Sequence, residues 1–188
     1  MTFFVGLQGV PNAGKDTIAN ILVGKRGWQR ISIGDLIRKE ASLQWDVAIE
    51  VFTRRDLKEE PHPHLAGYSP REVLINIGQD RKLAHGDDYW AHQVLVQAAR
   101  LANLGAPGII LTDVGNQVEA DYVRLAGGII IRLNRDVPVI ADGRQLIAPD
   151  FVVDNNGAPD FAAKTVLQLA TNQGAIFRLP DDAAAALA

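Results

Sequence analysis

The chain contains no cysteine. Disulfide bonds, thiolate nucleophiles and cysteine-ligated zinc are therefore excluded as sources of stability or chemistry. Long apolar runs are also missing: none approaches the ~20 residues of a membrane-spanning helix. The N-terminus has no basic segment ahead of its apolar residues, which argues against a secretory signal and makes the cytoplasm the expected location. Nor is there an excess of positive charge. The formal net charge is −3, which weighs against a nucleic-acid-coating protein without forbidding a local basic cleft. What remains, 47% hydrophobic and 22% charged residues in 188 positions, suits one globular α/β domain with a sizeable core.

The informative stretch is Gly9-Val10-Pro11-Asn12-Ala13-Gly14-Lys15-Asp16-Thr17. An apolar run, Phe3 to Leu7, leads into it, and Ile18 to Val23 follows at helical spacing. Strand, glycine-bearing turn and helix, with G-x4-G-K across the turn, is the context of a phosphate-binding P-loop. Glycines let the backbone wrap with its N–H groups pointing inward, and the helix N-terminus adds its positive dipole end. Gly9, Asn12, Ala13, Gly14, Lys15, Asp16 and Thr17 are the expected ATP-binding residues, with the Lys15 ammonium beside the outer phosphates. Position 16 is unusual: a hydroxyl is common directly after the lysine, and here a carboxylate stands in its place. Thr17 still offers a hydroxyl to an inner phosphate.

Further on, strand and helix patterns alternate. Strands are expected over 2–8, 29–33, 109–113, 129–133 and 150–154, and helices over 15–25, 36–51, 89–104, 119–126 and 159–171. Ser69-Pro70-Arg71-Glu72 reads as a capping box opening another helix, which the spacing stops near Gly78. The segment 53–68, with Pro61, Pro63 and Gly67, reads as a loop, and its His62 and His64 as loop residues rather than metal ligands. Residues 174–179 suggest a last edge strand and 181–188 a frayed tail. This alternation implies a three-layer α/β fold of the P-loop NTPase type, a parallel sheet of about five strands flanked by helices. A helical acceptor-binding lobe over roughly 36–104 would be inserted in the one domain 1–188.

Asp113 closes the apolar run Ile109-Ile110-Leu111-Thr112, and ligands of open α/β sheets bind outside such strand ends. It is the expected Mg²⁺ residue, with Asp16 a second; capping of the next helix is the competing role for Asp113. Arg38 and Arg71, each near a helix start, suit a phosphate that a second substrate would carry. Arg132 and Arg135 flank a strand end and are candidates for touching transferring phosphates. Trp90 is either a packing face or a wall for a nucleobase.

The P-loop together with Ile31-Ser32-Ile33-Gly34-Asp35-Leu36-Ile37-Arg38 resembles the adenylate-kinase-like nucleoside monophosphate kinases. Gly14 to Thr17, Ser69 to Leu74, Gly86 to Trp90, Asp113 to Glu119, Gly127-Gly128 with Arg132, and Asp154 to Gly157 are similar in particular to the bacteriophage deoxynucleoside monophosphate kinases. The resemblance implies ATP as donor, Mg²⁺, and a deoxynucleoside monophosphate as acceptor. It implies catalytic roles for Lys15, Arg38, Asp113 and Arg132, and acceptor binding by Ser32, Asp35, Arg38, Arg71 and Trp90. Small-molecule nucleotides are the implied partners, and a homodimer is the implied assembly. One departure stands out: Gly115 occupies a position where those kinases usually carry an arginine. The long arginine-rich lid of adenylate kinase is also not recognisable, and only Arg132, Arg135 and Arg144 offer a substitute. Two other functions compete: a kinase of this fold acting on a hydroxymethylated base within DNA, and a non-catalytic nucleotide-binding module.

Overall fold

The structure is a computed structural model, and it describes residues 1–54, 56–138 and 147–180. Its centre is β1 (Phe3–Gln8), buried from Phe4 onward. β1 pairs in parallel with β3 (Gly108–Leu111) on one side and β4 (Ile129–Asn134) on the other. β2 (Gln29–Ile31) and β5 (Phe151–Asp154) extend the sheet outward, giving the order β2-β3-β1-β4-β5. A parallel strand with helices over both faces must be apolar on both, which is why β3 reads Gly-Ile-Ile-Leu and is buried throughout.

The helices are α1 (Lys15–Arg26), α2 (Ile33–Trp45), α3 (Glu50–Thr53), α4 (Pro70–His85), α5 (Tyr89–Asn103), α6 (Gln117–Leu125) and α7 (Pro159–Asn172). α1 and α7 pack together against one face of the sheet, where Ile18, Ala19 and Leu22 meet Val5, Leu7, Ile131, Ala163 and Val166. Trp28, only 1% exposed, belongs to that core, and its indole lies against the bare Cα of Gly108. On α5 the buried positions 90, 91, 94, 95, 98 and 99 form a stripe of i, i+4 pairs.

The chain divides into two compact units. One comprises Met1–Ser32 with the chain from Ala91 onward and carries the sheet; the other is Ile33–Trp90. The lobe expected over roughly 36–104 overlaps this second unit, and α5 crosses the boundary, with Tyr89 and Trp90 in the helical unit and the rest of the helix in the other. Within the helical unit, α2 ends at Trp45 rather than running to Val51: Asp46 takes a left-handed φ of 50°, which stops the helix before α3 restarts it. α4 opens on the expected capping box, with Glu72 N donating to Ser69 Oγ and Ser69 N donating to Glu72 Oε2. It does not stop at Gly78 but continues to His85, since Gly78 packs against Ile37 and a glycine inside a helix lowers stability without ending it. The expected edge strand over 174–179 is reduced to a single antiparallel bridge between Phe3 and Ile176. The expected tail at 181–188 and the candidate Arg144 lie outside the described residues.

Candidate active site

The loop from Gly9 to Gly14 leaves β1 and enters α1 in a shape that two glycines make possible. Gly9 has φ +151°, and a Cβ there would stand 2.8 Å from the Leu133 carbonyl. Gly14 has φ +93° and a Cβ would stand 2.4 Å from Asn155 Nδ2. Gly14 is the N-cap of α1, and no side chain caps that end. The first N–H groups of the helix therefore face a region where an anion is the natural partner. Lys15 Nζ donates to the Gly9 and Val10 carbonyls, at 2.6 and 3.0 Å, so the ammonium lies across the mouth of its own loop. Asn12 sits in the left-handed region at φ 66°, and Ala13 is fully buried. Thr17 is exposed on the first turn.

Asp113 stands beside this loop. It lies two residues beyond the end of β3, between two anchored peptides: Thr112 N donates to Ile31 O at 3.1 Å, and Val114 N donates to Leu7 O at 3.2 Å. Ser32 Oγ, 8% exposed at the end of β2, donates to Asp113 Oδ2 at 2.8 Å. Capping of α6 falls to Asn116 instead, whose side chain accepts from Glu119 N at 2.9 Å, while Glu119 Oε2 accepts from Gly115 N. Asp16 forms an ion pair with Arg30 at 3.2 Å. Among the described residues no three His, Cys, Asp or Glu side chains gather to hold a metal alone. A lone carboxylate such as Asp113 suits Mg²⁺ chemistry, in which the ion keeps several waters and takes one or two carboxylates together with substrate phosphates. Of the two carboxylates expected from sequence, Asp113 accepts a hydrogen bond from Ser32 and Asp16 pairs with Arg30.

The two arginines after β4 differ. Arg132 donates from Nε to Gln8 Oε1 at 3.2 Å and from Nη2 to the Ile147 carbonyl at 2.6 Å, so it braces β1 and the segment before β5. Arg135, at the exposed end of the strand, has Nη1 3.8 Å from where a Cβ on Gly14 would sit. Both arginines are candidates from their positions, and the resemblance implies Arg132; in the structure it is Arg135 whose guanidinium lies near Gly14 of the loop. Asn155, which the sequence offers only within the Asp154 to Gly157 resemblance and without a role, touches the same loop from the turn after β5.

In the helical unit, Asp35 and Arg38 share the first turns of α2, with Arg38 Nη1 donating to Asp35 Oδ1 at 2.6 Å. Arg38 Nε is buried and has no hydrogen-bond partner among the described residues. Arg71, on the first turn of α4, pairs with Glu59 at 3.1 Å and is half exposed. Trp90 is 3% exposed and its Nε1 donates to the Gly78 carbonyl at 3.0 Å, which makes its indole a packing element rather than an open ring face. Arg81 and Glu40 bond closely across α2 and α4, and that contact holds the guanidinium pKa above its usual value. Burial, with the Glu40 charge adding to it, pushes the Tyr89 phenol up.

Solved structures share this architecture. A sugar kinase from Janibacter sp. HTCC2649 aligns with a TM-score of 0.51 at 15% identity, covering 95% of this chain and all of that one. A dephospho-CoA kinase from Campylobacter jejuni aligns at 0.52 and 15% identity, covering 92% of this chain and 99% of that chain. An APS kinase from Mycobacterium tuberculosis aligns at 0.50 and 13% identity, covering 90% and 97%. The fold is that of the P-loop kinases, a three-layer α/β sandwich around a parallel sheet. No protein-family model matches the chain, and no curated protein matches it.

Proposed function

We propose that this chain is a kinase that moves the γ-phosphoryl of ATP onto a deoxynucleoside monophosphate. The neighbours of the same fold are named as kinases with different acceptors, so the acceptor has to be read from this chain's own residues. The observation that carries the reading is Arg38. Its guanidinium is fixed by Asp35 through Nη1 while Nε remains a buried donor with nothing to bond among the described residues. A buried, unfilled, charged donor is costly unless a ligand completes it, and a phosphate matches the guanidinium fork. The deoxynucleoside class rests on the sequence resemblance.

Phosphoryl transfer asks for positioning and charge neutralisation more than for covalent participation by the protein. The uncapped start of α1 and the loop N–H groups receive the donor phosphates, and Lys15 exchanges its two loop carbonyls for phosphate oxygens. Bound Mg²⁺ supplies neutralisation of the polyphosphate charge. Asp113 would hold the ion, with its carboxylate fixed by the Ser32 hydroxyl. Arg38 holds the acceptor monophosphate, one of whose oxygens attacks the γ-phosphorus as the bond to the β–γ bridging oxygen breaks. ADP and the deoxynucleoside diphosphate leave.

The test is a coupled ATP-consumption assay with each of the four deoxynucleoside monophosphates and with a DNA duplex carrying hydroxymethylated bases. Turnover with at least one monophosphate supports the reading. In Arg38→Ala the acceptor KM should rise about tenfold or more while the KM for ATP holds, since only the acceptor loses a charge-assisted bond. Turnover with the duplex alone would assign the acceptor to DNA, and none at all would leave a nucleotide-binding module.

A further inference from the structure

The turn that follows β5 reaches the phosphate loop from behind. Asn155 is separated from Ala13 by 142 positions, yet its Nδ2 donates to the Ala13 carbonyl at 2.7 Å. Both residues are buried, at 3% and 0% exposure. The amide touches the loop closely enough that a Cβ on Gly14 would stand 2.4 Å from it. The turn itself is held to the end of β4, since Asn155 N donates to Asn134 O and Asp136 N donates to Asn156 Oδ1, both at 2.8 Å. Asn155 thus presents its N–H to the loop from a fixed platform.

The contact matters because a peptide unit is planar and trans, so its C=O and N–H point to opposite sides. The carbonyl of Ala13 and the N–H of Gly14 belong to one such unit. Anchoring the oxygen on the outer side turns the Gly14 N–H to the inner side, the side from which the loop and α1 would meet an anion. The other end of the amide is consistent with this use. Asn155 Oδ1 is buried with no hydrogen-bond partner among the described residues, so the side chain is satisfied only through its bond to the loop.

We propose that Asn155 is a positioning residue that sets the Ala13–Gly14 peptide so that the Gly14 N–H faces bound phosphate. The proposal rests on the reading of this loop as a polyphosphate site. It predicts a defect in phosphate binding as such, not in recognition of a base.

The experiment titrates the Mg²⁺ complexes of inorganic tripolyphosphate and of ATP into the full chain by calorimetry. It compares wild type, Asn155→Ala and Val166→Ala, with folding checked by circular dichroism. Val166 is a fully buried packing residue of α7 and controls for general loss of stability. Asn155→Ala should bind both ligands about tenfold more weakly and by the same factor, as loss of one buried hydrogen bond to the loop would do. Val166→Ala should melt earlier and bind both normally. The proposal is overturned by unchanged affinity in Asn155→Ala, by a loss confined to ATP, or by an equal loss in Val166→Ala. If Asn155→Ala does not fold, Asn155→Asp keeps the shape and removes the N–H; wild-type affinity in that variant overturns the proposal equally. A wild-type chain that binds neither ligand would overturn the reading of the loop instead.

Discussion

Ser32 and Asp113 lie 81 positions apart and meet through a 2.8 Å hydrogen bond in which the serine hydroxyl donates to the carboxylate. The bond joins the ends of β2 and β3, neighbours in the sheet, and places an oriented carboxylate beside the phosphate loop. With a carboxylate at position 16 in place of the usual hydroxyl, and that carboxylate paired with Arg30, Asp113 is, under the proposed function, the carboxylate whose orientation would matter most to a bound metal.

Ser32→Ala should therefore raise the Mg²⁺ concentration needed for half-maximal turnover by about tenfold, the lower end of what second-shell losses cause. Ser32→Thr, which keeps the hydroxyl, should stay close to wild type. An Mg²⁺ titration at saturating ATP reads both. Equal requirements in all three proteins would show that the bond does not act on the metal.

Gly108→Ala tests the core. The added Cβ would stand 2.2 Å from Trp28 Cε2, and the indole, 1% exposed and stacked on Phe3, has no free space into which to retreat. The expected loss is about 1–3 kcal/mol, as for other overpacked sites, read from urea unfolding. Unchanged stability would mean that the edge of the core yields more readily than the packing implies.

Glu72 gives a pH prediction. The Ser69 backbone N–H, and then its hydroxyl, hold the Glu72 carboxyl below its usual range. A depressed folded-state pKa contributes stability above the unfolded value of about 4.3 and loses it as pH falls through the lower folded value. The stability gap between wild type and Glu72→Gln, followed by far-ultraviolet circular dichroism in urea, should accordingly be largest near neutrality and shrink on acidification. A gap independent of pH would show that the cap does not depend on the charge.

Much of this was legible from local pattern. The P-loop, the capping box at Ser69 and Glu72, and the five strands each announce themselves within a dozen residues, because turn chemistry and apolar periodicity are short-range signals. Gly78 was read as a stop because a glycine in a helical pattern carries no sign of whether neighbours will support it; Ile37 packs there and Trp90 bonds its carbonyl. Trp90 likewise gave no sign that its N–H would be taken inside the helical unit. Position alone does not separate Arg132 from Arg135; the bonds that hold Arg132 go to Gln8, 124 positions away, and to the Ile147 carbonyl, 15 positions on. Asn155 stands in the sequence only as part of the Asp154 to Gly157 resemblance, with no role attached: its partner Ala13 is 142 positions away, and no spacing rule links a turn after β5 to a loop after β1.

The most direct test of the account follows the γ-phosphoryl itself. ATP labelled at the γ-position is incubated with Mg²⁺ and each deoxynucleoside monophosphate, with wild type and with Lys15→Ala, and the labelled products are separated. The account predicts label in a deoxynucleoside diphosphate with wild type. It predicts loss of that product by about a thousandfold or more in a Lys15→Ala protein that still folds, since the lysine acts on charge that the transfer develops. Near-normal transfer by Lys15→Ala, or no labelled deoxynucleoside diphosphate from the wild-type chain, would contradict it.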